Sequence, residues 1–179
     1  MDFSIDKLRA ALSGGGARPT LFSVQLNSPM QPTLPNLGLN SPFMVKAANL
    51  PQSTIGEILI SYMGRKLKAA GDRTYQDWQV TVNNDENFSI RNDLESWSNA
   101  IQGPASNIRN SGADASFSYK AQAIVSQYSK DDSDTVIAEY TFYGLWPKEI
   151  GIVELSWEAE NQIESFQVQF AYDYFTRTA

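Results

Sequence analysis

A period of two recurs along most of this chain and constrains its fold more than any other feature. Phe166, Val168, Phe170, Tyr172 and Tyr174 alternate with Ser165, Gln167, Gln169, Ala171 and Asp173. Successive side chains of a strand point to opposite faces, so this pattern makes one apolar and one polar face. The same alternation runs through Phe22–Leu26, Ile58–Tyr62, Trp78–Val82, Phe117–Val125 and Val136–Phe142. Shorter strands are expected at Phe43–Ala48, Arg65–Ala70 and Val153–Trp157. The polar faces are rich in Ser, Thr and Gln and poor in charge, and Val168–Phe175 carries only Asp173. Strands with so little charge are weakly guarded against pairing with another chain at a sheet edge.

Within the main part of the chain, only one segment changes period. Ile90, Leu94, Trp97 and Ile101 are spaced by four, three and four, which predicts a helix capped by Asp85 and stopped at Gly103-Pro104. A second, shorter helical pattern (Ile5, Leu8, Leu12) opens the chain, with Ser4 as its N-cap and Gly14-Gly15-Gly16 as a hinge. Such a short helix needs something to dock on, in its own subunit or a neighbour. The chain thus divides into residues 1–16, helix and hinge, and residues 17–179, a single β domain. Asn27–Pro42 holds four prolines and reads as a long loop. Gly71-Asp72-Arg73 reads as a turn, Asp131–Asp134 as a hairpin tip, Pro147–Gly151 as an excursion and Thr176–Ala179 as a frayed end or an arm.

Composition closes off whole classes of chemistry. With 179 residues, 42% of them hydrophobic, the chain is long enough to bury a core. It has no cysteine and no histidine, so disulfides, thiol catalysis, imidazole ligation and Ser-His-Asp chemistry are out of reach. Twenty acids against fourteen bases give a net charge of −6, which opposes tight, generic nucleic-acid binding. No apolar run approaches the ~20 residues of a membrane span. The N-terminus lacks the pattern of a secretory signal, so a soluble protein made in the cytoplasm is expected. Asp131, Asp132 and Asp134 lack the glycine and terminal glutamate of a calcium loop. Asp72 with Asp77 or Asp85 would serve as an acid/base pair only inside a pocket. Trp78, Trp97, Trp146 and Trp157 read as core residues, and no cofactor or metal is expected. The named core candidates are Trp78, Leu94, Trp97, Phe166 and Val168.

An ordered set of short stretches resembles the tail tube protein family of contractile-tailed bacteriophages. It begins at Ala17–Phe22, Lys46-Ala47 and Leu50-Pro51. Its most specific block is Met63-Gly64-Arg65-Lys66, then Ala70–Thr74 and Asp77-Trp78. Val80–Val82, Asn84–Glu86, Arg91 and Trp97 follow, then Gln127-Tyr128, Gly144–Pro147, Ile150-Gly151, Leu155–Trp157, Asn161, Ile163, Phe166, Val168 and Asp173-Tyr174.

The resemblance implies a β-sandwich or small barrel with one flanking helix. It implies homohexameric rings stacked into a hollow tube within the virion tail, assembled in the host cytoplasm. The implied partners are the sheath protein, a baseplate tube initiator, a tail terminator, and the tape measure protein and DNA in the lumen without tight binding. No enzyme activity and no membrane anchor are implied. The same fold in an injection or type VI secretion tube would carry proteins instead. The subunit-interface candidates are Met63, Gly64, Arg65, Lys66, Gly71, Asp72, Arg73 and Thr74. A carbohydrate-binding sandwich using Trp146 is the rival from another class.

Overall fold

A computed structural model describes residues 4–12, 16–29, 33–107, 118–130 and 135–178. In chain order the elements are α1 (Ile5–Ala11), β1 (Phe22–Leu26), α2 (Pro35–Met44), β2 (Val45–Ala48), β3 (Ser53–Tyr62), β4 (Arg65–Tyr75), β5 (Trp78–Asn83), α3 (Ser89–Ile101), β6 (Ala121–Tyr128), β7 (Val136–Ile150), β8 (Ser165–Ala171) and β9 (Tyr174–Arg177). The expected Phe117 start of β6, the Asp131–Asp134 tip and Gly14-Gly15 lie outside the described residues.

Two antiparallel layers share one strand. The first runs β1-β6-β7-β9 and the second β7-β8-β5-β2. β7 passes between them: Tyr140–Tyr143 pair with β9, whereas Trp146–Ile150 pair with β8. The crossing falls at Gly144, whose φ of +70° suits glycine. A Cβ there would lie 2.1 Å from Asp173 Oδ2, a carboxylate that Lys120 holds over the crossing. The expected excursion at Pro147–Gly151 is therefore strand as far as Ile150, with Pro147 at a bulge where its missing N–H is tolerated. The single expected strand Phe166–Tyr174 breaks at Tyr172-Asp173, because it must follow β7 around the same corner. Thr176 is in β9, not in a frayed end. The layers form a sandwich-like body and no closed barrel.

The apolar faces meet between the layers. Val24, Leu26, Val80, Val82, Phe142, Val168 and Phe170 are fully buried there. Trp78 stacks on Phe142 at 4.3 Å between ring centroids, and its indole donates to the Asn49 carbonyl. α3 turns Ile90, Leu94 and Trp97 into this core, and the Trp97 indole donates to the Tyr119 carbonyl at 2.7 Å. Trp78, Leu94, Trp97, Phe166 and Val168 all belong to the same buried cluster. Trp157 does not: it is fully exposed, and residues 151–164, where a strand was expected at Val153–Trp157, hold none.

A third helix stands where a loop was expected. Pro35–Met44 is α2, so the strand expected from Phe43 begins only at Val45. Its sequence (PNLGLNSPFM) is poor in helix formers, and polar pins from other elements hold it. The backbone N–H groups of Asn36 and Leu37 donate to Asp93 Oδ2 at 2.9 and 3.0 Å, so an α3 carboxylate caps α2 from outside. At its other end Ser41 Oγ accepts from the Leu26 N–H at 3.0 Å. Leu37 and Ser41 face inward, whereas Leu39 and Phe43 face water.

The α3 helix begins at Ser89, four residues after its expected cap. Asp85 still serves it, accepting from the Ser89 N–H at 2.8 Å and the Ser89 hydroxyl at 2.7 Å. The Ser89 hydroxyl, chiefly, holds the Asp85 carboxyl below its ordinary value against the opposing effect of burial.

Two predictions follow from these caps. Asp93→Ala leaves two α2 N–H groups without their acceptor and costs about 1–3 kcal/mol in urea denaturation; unchanged stability contradicts the pinning role. Because the folded pKa of Asp85 is depressed, its contribution is complete above the ordinary carboxylate value of about 4 and is lost as pH falls through the folded value. Ser89→Ala should therefore move the Asp85 pKa upward in an NMR titration and flatten the loss of stability on acidification. An unmoved titration refutes that assignment.

Candidate subunit interface

Among the described residues the β3–β4 hairpin pairs with no other strand, and it meets the rest of the fold mainly at its root. Its turn, Met63-Gly64, has φ of +45° and +76°, the left-handed pair that matches strand twist in a two-residue hairpin. Register then sorts the side chains. Ile58, Ile60, Tyr62, Leu67 and Ala69 share one face with Arg65, whereas Glu57, Leu59, Ser61, Lys66 and Lys68 share the other. Lys68 pairs with Glu57 across that second face at 2.9 Å. The ribbon is thus amphipathic, and its large apolar side chains are about half exposed or more.

The turn expected at Gly71-Asp72-Arg73 is instead a bulge within β4. Two residues, Gly71 and Asp72, stand opposite Gly56. A Cβ on Gly71 would come within 3.2 Å of the Gly56 carbonyl, so the strands meet here more closely than a side chain allows. The bulge bends the ribbon and moves Arg73 to the Ile55 side, where it donates to Ser53 Oγ. At the root, Tyr75 packs on Tyr172 and Phe175 at 5.8 and 5.6 Å. That contact ties the ribbon to the sandwich through the Phe142–Tyr172 ring pair. Burial, chiefly, raises the Tyr172 pKa.

All eight interface candidates from Met63 to Thr74 therefore sit on the tip and return strand of one exposed ribbon. The sequence reading missed its other half: Ile55, Ile58 and Ile60 of β3 show as much apolar surface as β4 does. Their alternation was visible, but alternation alone does not distinguish a strand facing a core from one facing a neighbour.

Three further apolar surfaces lack a cover within the described chain. α1, with Ser4 accepting from the Lys7 N–H, exposes Ile5, Leu8 and Leu12. The outer face of α2 exposes Leu39 and Phe43, the latter by 85%. The connection from β7 to β8, residues 151–164, exposes Ile152, Leu155, Trp157 and Ile163. This connection is pinned at its start by Arg91, whose guanidinium donates to the Gly151 carbonyl and lies 5.2 Å from the Phe166 ring. At its end, the Asn84 N–H donates to the Glu164 carbonyl. It borders an open cavity of about 1000 Å³ whose floor includes Thr81, Gln167 and Gln169.

Charge divides between these surfaces. β3–β4 carries four basic and two acidic side chains, whereas residues 149–164 carry five glutamates and no base.

The three carboxylates weighed for acid/base chemistry sit in different settings. Asp72 lies on the open ribbon, Asp77 pairs with Lys148 at one end of β5, and Asp85 binds Ser89 beyond the other end. Trp146, the candidate glycan platform, is half-buried against the core. Among the described residues no cluster of three or more acidic side chains is placed to hold a metal ion, and no helix is long and apolar enough to cross a membrane.

The chain is 39% identical over 173 residues to tail tube protein gp19 of Enterobacteria phage T4, spanning 97% of this chain and 99% of that protein. It is 26% identical over 171 residues to the tail tube protein of Serratia phage KSP90, 94% of each chain. The fold is shared with a chain from the sheath/tube terminator of the PVC extracellular contractile injection system, with a TM-score of 0.62, 13% identity and coverage of 92% and 97%. A chain from the tube-terminating cap of the anti-feeding prophage has a TM-score of 0.60 at 17% identity, covering 91% of each. Residues 17–178 match the family described as phage tail tube protein, and the chain therefore belongs to that family of structural, non-enzymatic components of the virion tail.

Proposed function

We propose that this chain is the repeating subunit of the inner tube of a contractile phage tail. Six copies close a ring, rings stack into a hollow tube, and the genome passes through it. The observation that carries this reading is the amphipathic β3–β4 ribbon, whose apolar face has no cover among the described residues. A lone two-stranded hairpin is at best marginally stable in water, so the ribbon gains its cover from a neighbouring copy. Met63, Gly64, Arg65, Lys66, Gly71, Asp72, Arg73 and Thr74 contribute to that contact. The α1 helix, resting on few contacts of its own, docks on a neighbour as well.

The conduit role suits the charge. A net of −6 and faces of Gln, Thr and Ser give DNA little to grip, since retention requires neutralised phosphates. The tube is enclosed by a sheath protein, begun on a baseplate initiator, ended by a terminator, and holds the tape measure protein before the genome. Fold relatives come from injection-system terminator, cap, baseplate and sheath–tube assemblies, which supports partners of these kinds. Genome cargo is favoured over protein cargo because the 39% identical relatives are phage tail tube proteins, while the injection-system chains share the fold at 12–17% identity.

The test is assembly of the purified chain, seen by negative-stain microscopy and sedimentation. Wild type should form rings and tubes as concentration rises. Ile58→Glu/Leu67→Glu should keep the wild-type melting temperature yet need at least about tenfold more protein to assemble, because each buried apolar side chain contributes roughly 1.5–3 kcal/mol. A wild type that stays monomeric at every concentration, or a variant that assembles as well as wild type, overturns the reading.

A further inference from the structure

We propose that the β3–β4 ribbon of one copy docks on the acidic 149–164 segment of a second copy, the next one along the stack. This rests on the tube reading above and names the receptor for the ribbon. The two surfaces lie at opposite ends of one sheet. β5 and β8 pair along their length, Trp78 with Phe170 and Asn83 with Ser165. The ribbon leaves the body through Tyr75, beside the Trp78 end. The 149–164 segment returns through Glu164 into Ser165, beside the Asn83 end, where the Glu164 carbonyl accepts from Asn84. A plug at one end and a socket at the other make a heterologous contact, which runs on from copy to copy as a stack does when its rotation brings about no closure.

The chemistry of the two surfaces is complementary. The ribbon tip presents Arg65 on the face of the apolar Ile60 and Leu67, and Lys66 on the opposite face near Leu59. The segment presents Glu154 and Glu158 beside the apolar Leu155 and Trp157. All four charged side chains are exposed, and none makes an ion pair among the described residues. Within one subunit these charges have no evident use, since isolated surface charges contribute little to stability. Across a contact they set direction and partner, because like-charged alternatives are repelled. Ribbon against ribbon would place Arg65 and Lys66 opposite their own kind. Ribbon on segment pairs opposite charges and covers apolar surface on both sides.

Charge reversal on the full chain tests this. The variants are Arg65→Glu/Lys66→Glu, Glu154→Lys/Glu158→Lys, and the chain carrying all four changes, each checked by thermal melting. Each two-site variant should melt like wild type and form rings, yet need at least about tenfold more protein to stack. The four-site chain should stack again, because its reversed plug fits its reversed socket. Two-site variants that stack like wild type overturn the proposal, as does a four-site chain no better than its parents. If only the Arg65→Glu/Lys66→Glu variant is impaired, the ribbon meets another surface. If a mixture of that variant with wild type assembles better than either alone, ribbon meets ribbon. Either result overturns the proposed receptor while leaving the tube reading intact. Failure of wild type to form rings or tubes defeats the tube reading itself.

Discussion

Apolar surface that the described residues leave uncovered governs this structure. The sandwich satisfies its own needs: two alternating layers, a shared strand and one amphipathic helix enclose Trp97, Phe142, Phe166 and Phe170. Outside that body stands a ribbon of two long strands with Ile58, Ile60 and Leu67 turned to water. Hydrophobic burial at about 25 cal/mol per Å² drives such a face toward a partner. A solitary molecule gains nothing from building it.

The local chemistry of the ribbon shows a feature formed with care. Met63-Gly64 gives the turn that strand twist favours, and the paired glycines at 56 and 71 let the backbone bulge at one defined level. Tyr75 then fixes the root against Tyr172 and Phe175, which are themselves packed on the sandwich through Phe142. Position and angle of the ribbon are thus coupled to the core. A contact surface held this way is presented ready for its partner, which lowers the ordering cost of assembly.

Much of the fold was legible because its main elements obey the simple periods. β1, β5 and β8 alternate cleanly, and Ile90, Leu94 and Trp97 mark the buried stripe of α3. The failures have physical causes. α2 is a helix against its own propensities, held by Asp93 from 56 residues away and by its own Ser41, which accepts from the Leu26 N–H at the end of β1. Pro147 looked like a break, but a bulge lets it sit inside a strand. Gly71-Asp72-Arg73 looked like a turn because glycine beside aspartate serves bulges and turns alike. Trp157 looked like core because composition carries no information on which apolar residues the fold leaves exposed. The β4 half of the exposed ribbon was singled out through family resemblance; the β3 half looked like any other core-facing strand.

The central claim is that a second copy covers the ribbon, and amide hydrogen exchange across an assembly series addresses it most directly. Protection in Ser53–Tyr75 should be low in dilute monomer and rise sharply in assembled tubes, while β5, β6 and β8 stay protected throughout. Equal protection of the ribbon in monomer and tube would contradict the account.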